Sequence, residues 1–211
     1  MSGLLFKEFY TLKRYIVSYG AVLVMFVFIS VYMKSAAYLQ AMLAMSLGML
    51  TFTGMTYDKM YGWDKMVLTM PVSRGTVVRS KYITSVLVAG ASLAVSTLIG
   101  IVMMQFVPME DGLAEMGVTA MVLFGVLMFA YAIILPLIYK FGVEKARIFM
   151  VAAIMVPIII LVSVAKYIPA QIVQYLDEHF LFSSIIFIAA AFICYVISYF
   201  ISVRIYSQKE Y

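Results

Sequence analysis

Few residues in this chain could carry out chemistry. The only histidine, His179, follows Asp177 and Glu178, and the only cysteine, Cys194, lies in an apolar stretch. A thiolate zinc site or a disulfide framework requires more ligands or thiols than these. We therefore expect His179 to be a solvated loop residue. We also expect the chain to be no enzyme and to bind no metal or cofactor of its own.

The motifs of other membrane chemistries are missing as well. No segment matches GxxxxGK[ST], the glycine-rich loop that binds ATP phosphates. Proton-coupled transporters, intramembrane proteases and redox subunits place paired acids, Ser/His pairs or His ligands inside apolar segments, and this sequence has none there. Ser, Thr and Gln are the polar residues of its apolar segments. This composition favours a structural or transport protein over an enzyme.

The composition predicts a membrane protein. The chain has 211 residues, of which 65% are hydrophobic and 12% are charged, and its mean hydropathy is +1.06. A soluble domain carries about 25% charged residues. Six stretches without formal charge are long enough to cross a bilayer as helices. They predict an all-α polytopic protein with one transmembrane domain over 1–211 and spans at 15–33, 35–57, 82–109, 116–139, 148–165 and 179–203.

The distribution of Lys and Arg predicts the orientation of these spans. With both termini on one side, that side carries 13 of the 15 basic residues. The other side has only Lys34 and Lys166. Basic loops stay in the cytoplasm. We therefore expect the protein to lie in a bacterial inner membrane with both termini on the cytoplasmic side. The net charge of +5 then reflects topology and contact with anionic lipid, and no nucleic acid is expected as a partner.

Two segments outside the spans have patterns of their own. In 1–14, Leu5 and Phe9 recur at helical spacing while Lys7 and Glu8 take other positions. This predicts an amphipathic elbow helix in the cytoplasmic interface, with a plain basic anchor as the alternative. The 58–81 connection predicts a short amphipathic helix that ends before Pro71, followed by a helix that Ser73 caps.

Trp63, the only tryptophan, lies in the 58–81 connection. Tryptophan is enriched at membrane interfaces as an anchor, and it is also over-represented where a protein packs against a partner. Both readings stay open on the sequence.

A stripe of small residues marks the third predicted span. Ser92, Ser96 and Gly100 recur at every fourth position, a spacing that lets helix backbones approach closely. The stripe predicts helix packing within one chain or a seam between two subunits.

The segment from Trp63 to Tyr82 resembles the ABC-2 type permease family, the membrane subunits of bacterial ABC exporters that use a separate ATPase. The short members of that family have a similar W…LP-[VI]-S-R…SKY pattern. The matching residues here are Gly62, Trp63, Asp64, Leu68, Thr69, Met70, Pro71, Val72, Ser73, Arg74, Ser80, Lys81 and Tyr82, with 142–147 and 207–211 as further matching stretches. Met70 replaces the usual Leu.

The resemblance implies a function for 58–81. In such permeases this loop holds a coupling helix that rests in a groove of the ATPase subunit, and two permeases, as identical or related copies, pair with two ATPases that bind ATP and Mg²⁺. The contact would consist of Tyr61, Trp63, Met66 and Leu68, with Asp58, Asp64 and Lys65 as charge partners. Glu144 and Arg147 would form a second contact. The cargo of similar exporters includes amphipathic or antimicrobial peptides, phenol-soluble modulins, lantibiotics and drugs.

Two other functions remain as alternatives. A substrate-binding membrane subunit of a vitamin-type importer also has six spans, but it would need larger polar outer loops than the hairpin at 33–36. A membrane protein that gives immunity by sequestering a peptide would need no ATPase partner.

Overall fold

The computed structural model describes residues 2–109, 111–143, 145–146, 163 and 179–208, without the side chains at 2, 12–19, 64 and 68. All the regular elements in these ranges are α-helices. They are α1 (Ser2–Met33), α2 (Ala36–Met60), α3 (Trp63–Leu68), α4 (Arg74–Met104), α5 (Leu113–Phe141) and α6 (Phe180–Ser207).

Four of these helices, α2, α4, α5 and α6, are long and apolar enough to cross a membrane, and Gly20–Met33 in α1 is a shorter apolar segment. They correspond to predicted spans two, three, four and six. Predicted span five, at 148–165, lies outside the described residues except for Ser163. The chain is thus a multi-pass helical membrane protein, and the count of six spans stays a prediction.

The ends of the helices differ from the charge-free stretches. At its start α4 takes in Arg74, Arg79 and Lys81, because Ser73 caps the helix: its Oγ accepts from the Thr76 amide at 3.3 Å. At its other end α4 stops at Met104 and not at residue 109. Pro108 cannot continue a helix, and the chain turns before it.

The predicted elbow helix is not a separate element. Ser2–Met33 form one continuous helix, so an elbow helix in the interface stays a prediction, and Glu8 faces the bundle and not solvent. Phe6 and Phe9 are exposed while Glu8 is buried. The physical reason is that a bilayer accepts apolar side chains on the outside, whereas a carboxylate needs polar partners inside.

Polar contacts join α4 to α6. The Tyr82 hydroxyl lies 2.7 Å from both Ser198 Oγ and Ser202 Oγ. The Tyr195 hydroxyl donates to the Tyr82 carbonyl oxygen at 2.6 Å and lies 2.6 Å from Ser85 Oγ. All of these groups are buried. Hydrogen bonds of this kind hold helices together where no water competes for them.

The stripe of small residues is buried between helices. Ser92, Ser96 and Gly100 are all buried, and the two serine hydroxyls donate to carbonyl oxygens of their own helix. A Cβ on Gly100 would press on Met116 of α5 and lie 3.3 Å from the Ala36 Cβ of α2. In this structure the stripe therefore packs α4 against helices of the same chain.

A close approach at Gly125 tests the packing of α5 on α6, the most extensive helix pair described. A Cβ at Gly125 would lie 2.9 Å from Phe187 Cε1 and 3.2 Å from Ile188 Cγ1. We expect Gly125→Leu to lower the free energy of unfolding by about 1–3 kcal/mol, the usual cost of overpacking. Gly117→Leu on the same helix is the control, because nothing lies within 4 Å of its Cβ. Thermal unfolding in detergent measures both; equal stability would contradict the packing.

Candidate functional site

A compact turn at one end of the bundle, here called the α3 end, holds α3 between α2 and α4. After Met60 the chain reverses at Gly62, whose φ of 66° is a conformation that glycine adopts without strain. The six-residue α3 follows and ends before Pro71. The sequence prediction of a short helix, a proline corner and a capped helix is confirmed here.

The turn has one outward and one inward face. Tyr61 and Met66 are 75% and 56% exposed, and Lys65 is exposed beside them. Val67 is buried, and Trp63 is partly buried against the main core. Large exposed apolar side chains beside a charge occur where a protein meets a partner or the membrane interface. Tyr61, Lys65 and Met66 form the exposed α3 surface.

Behind this turn, four charged side chains from three helices meet. Lys7 Nζ lies 3.1 Å from Glu8 Oε1, and Lys81 Nζ lies 2.6 Å from the same oxygen. Both ammonium groups also contact Asp58, Lys7 at Oδ1 and Lys81 at Oδ2. Each lysine therefore contacts both acids. We call Lys7, Glu8, Asp58 and Lys81 the ion quartet.

The ion quartet is charge-balanced and largely withdrawn from solvent. The Glu8, Asp58 and Lys81 side chains are 7%, 9% and 6% exposed, and Lys7 is 22% exposed. A buried charge costs several kcal/mol unless it is paired, and two cations with two carboxylates meet that need. The ion quartet thus fixes the start of α1, the end of α2 and the start of α4 to one another.

A second link connects the ion quartet to α3. Lys7 Nζ lies 4.6 Å from the centre of the Trp63 ring, within the range of a cation–π contact. A cavity of about 310 Å³ lies beside the Trp63 ring. Trp63, Lys65 and Gly62 line the cavity on the α3 side, and Tyr139 and Gly142 line it on the α5 side. The turn at α3 is therefore held on one side and has open volume on the other.

The structure sorts the residues predicted for the coupling contact into three groups. Tyr61, Lys65 and Met66 are exposed together, whereas Trp63 is partly buried and Asp58 is buried in the ion quartet. Asp64 and Leu68 belong to α3, but their side chains lie outside the described part. Glu144 and Arg147 lie outside the described residues altogether.

The residue pattern does not predict the ion quartet as a unit. It places Lys7 and Glu8 on the polar face of a surface helix, and Lys81 at the end of the 58–81 connection, in the helix that Ser73 caps. A usable signal was present, since Asp58 and Lys81 border two neighbouring spans with opposite charge. Nothing in the local pattern showed that the first turns of α1 would reach them.

The family match covers nearly the whole chain and not only the α3 end. The family model described as "ABC-2 family transporter protein" matches residues 3–207. The chain belongs to the ABC-2 transporter family. No curated protein and no solved structure matches it. Membrane proteins of the ABC-2 family are components of transport systems and work with ATPase subunits, and the apolar helices described above fit such a component.

The charge balance of the ion quartet gives a test of its strength. Lys81→Met leaves two buried carboxylates with one lysine, and we expect it to lower the free energy of unfolding by about 3–5 kcal/mol. The double change Asp58→Asn with Lys81→Met restores balance and should recover part of that loss. Lys65→Met is the matched control, because an exposed lysine contributes within about 0.5 kcal/mol. Thermal unfolding in detergent measures all three; equal melting of Lys81→Met and Lys65→Met would refute the role of the ion quartet.

Proposed function

We propose that this ABC-2 protein is the permease subunit of an ATP-driven exporter and that α3 is its coupling helix. The observation that carries the proposal is the exposed α3 surface, formed by Tyr61 at the end of α2 and by Lys65 and Met66 of α3, with the buried ion quartet behind it. A surface that receives force from an ATPase needs both a place for the partner to bind and a firm attachment to the membrane helices.

The charge distribution supports an orientation with α3 in the cytoplasm. The predicted cytoplasmic side carries 13 of the 15 Lys and Arg residues, and the positive-inside rule makes such loops cytoplasmic. In the described structure, Lys59, Lys65, Arg74 and Lys81 surround α3, whereas Lys34 joins α1 to α2 at the opposite end of the bundle. A cytoplasmic ATPase could then reach α3 directly.

The proposed contact at the exposed α3 surface is mainly apolar, with one positive charge at its edge. Tyr61 and Met66 supply aromatic and flexible apolar area, and Lys65 supplies a charge at the edge. Aromatic and methionine side chains are enriched in the cores of protein interfaces. Asp58 is held inside the ion quartet, so in this proposal it supports the contact from within and does not touch the ATPase.

The contact can be tested by capture of the ATPase. We expect Tyr61→Ala with Met66→Asp to weaken capture at least about tenfold, because apolar anchors at an interface centre typically contribute 2 kcal/mol or more. The tagged chain is purified in detergent from its native host, and the captured ABC ATPase is identified by mass spectrometry and ATP hydrolysis. Phe106→Asp, which changes an exposed apolar residue at the opposite end, is the control. Equal capture by the three proteins would contradict the proposal.

The proposed cargo is amphipathic or hydrophobic, a peptide or a drug. Support comes from the membrane helices, where the described residues between the two ends carry hydroxyls and an amide but no formal charge. The exposed face of α6 adds a long apolar surface that includes Phe182, Ile186, Ile193 and Phe200. We propose that a second copy or a related permease completes the pathway as a dimer.

The class of cargo can be tested with the captured complex in nanodiscs. We expect an amphipathic helical peptide to stimulate ATP hydrolysis, because its apolar face can enter a pathway without formal charges. A polar vitamin such as riboflavin is the control and should leave the rate unchanged. Stimulation by riboflavin, or its release from the purified chain, would favour the importer alternative.

A further inference from the structure

Among the described side chains, α3 has few links to the rest of the bundle. Val67 is buried and Trp63 is partly buried, whereas Met66 is exposed and Lys65, also exposed, borders the cavity. A helix of six residues has little stability of its own. Its orientation therefore depends on its ends and on these two inward side chains.

One of these links comes from the first helix of the chain. Lys7 is the residue of the ion quartet that also contacts α3, through the Trp63 ring at 4.6 Å. The same ammonium group contacts Glu8 and Asp58. Lys7 thus lies between the membrane helices and the turn, and its position is set by two carboxylates.

We infer that Lys7 is a positioning residue, and that it holds α3 in register with the ion quartet through Trp63. The N-terminal turns of α1 then form part of the coupling element, although they are far from α3 in sequence. A displacement of α3 would move Trp63 against Lys7 and pass to Asp58 and Lys81 on α2 and α4. The role in coupling rests on the proposed function, but the positioning of α3 does not.

The partial exposure of Lys7 makes this inference testable without unfolding the protein. At 22% exposure, Lys7 tolerates a change of charge better than Lys81, which is at 6%. Lys7→Gln removes the cation and keeps a polar side chain of similar length. Lys7→Arg keeps the cation, and a guanidinium packs well on an aromatic face.

Trp63 is the only tryptophan, so its fluorescence reports the environment of α3 directly. The test measures acrylamide quenching of the purified chain in detergent micelles, where no other protein contributes tryptophan fluorescence. A cation–π contact contributes a two- to five-fold change, roughly, in the ratio of docked to undocked α3. We expect Lys7→Gln to raise the quenching constant, Lys7→Arg to restore it, and Lys34→Gln, an equal charge change at the opposite end, to leave it unchanged.

The outcomes separate the inference from the proposed function. Quenching that is equal in Lys7→Gln and the unmodified chain overturns the inference, and so does an equal rise in Lys34→Gln or a failure of Lys7→Arg to restore the signal. Capture of the ATPase is measured in parallel on the same variants. If the unmodified chain captures no ATPase while the quenching pattern holds, the proposed function fails and the positioning by Lys7 stands.

Discussion

Two lysines and two carboxylates meet in one buried site, and the arrangement of the α3 end follows from their need to stay paired. Low-dielectric surroundings make each unpaired charge costly, so no member can leave without loss to the other three. Glu8 must turn inward, which leaves Phe6 and Phe9 of the same turns exposed while Leu4 packs against the core. Asp58 and Lys81 must stay close, which brings the two ends of the α3 turn together.

This constraint explains how a short helix with few packing contacts keeps its place at the end of the bundle. The turn leaves α2 at Gly62 and re-enters the bundle at the Ser73 cap. Between those points the chain needs little packing of its own, because its two anchor positions are already fixed. Tyr61 and Met66 can then remain exposed without loosening the turn.

The sequence predicted the parts of the fold that depend on local patterns. The lengths of the apolar stretches predicted four of the described membrane helices. Pro71 and Ser73 predicted the turn before α4, and the motif around Trp63 indicated the family. It failed where distant segments meet. The burial of Asp58 depends on Lys7, 51 residues away, and the inward turn of Glu8 depends on Lys81 in another helix. Residue spacing carries no such information.

The hydroxyl of Tyr82 makes the order in which helices enter the membrane important. Its two described partners, Ser198 and Ser202, belong to α6, which is synthesised more than a hundred residues later. Until α6 has been inserted, α4 carries the Tyr82 hydroxyl into the bilayer without those two hydrogen-bond partners. α6 therefore supplies the hydrogen-bond partners that the Tyr82 hydroxyl of α4 needs, and these two helices can pair only after α6 has been synthesised.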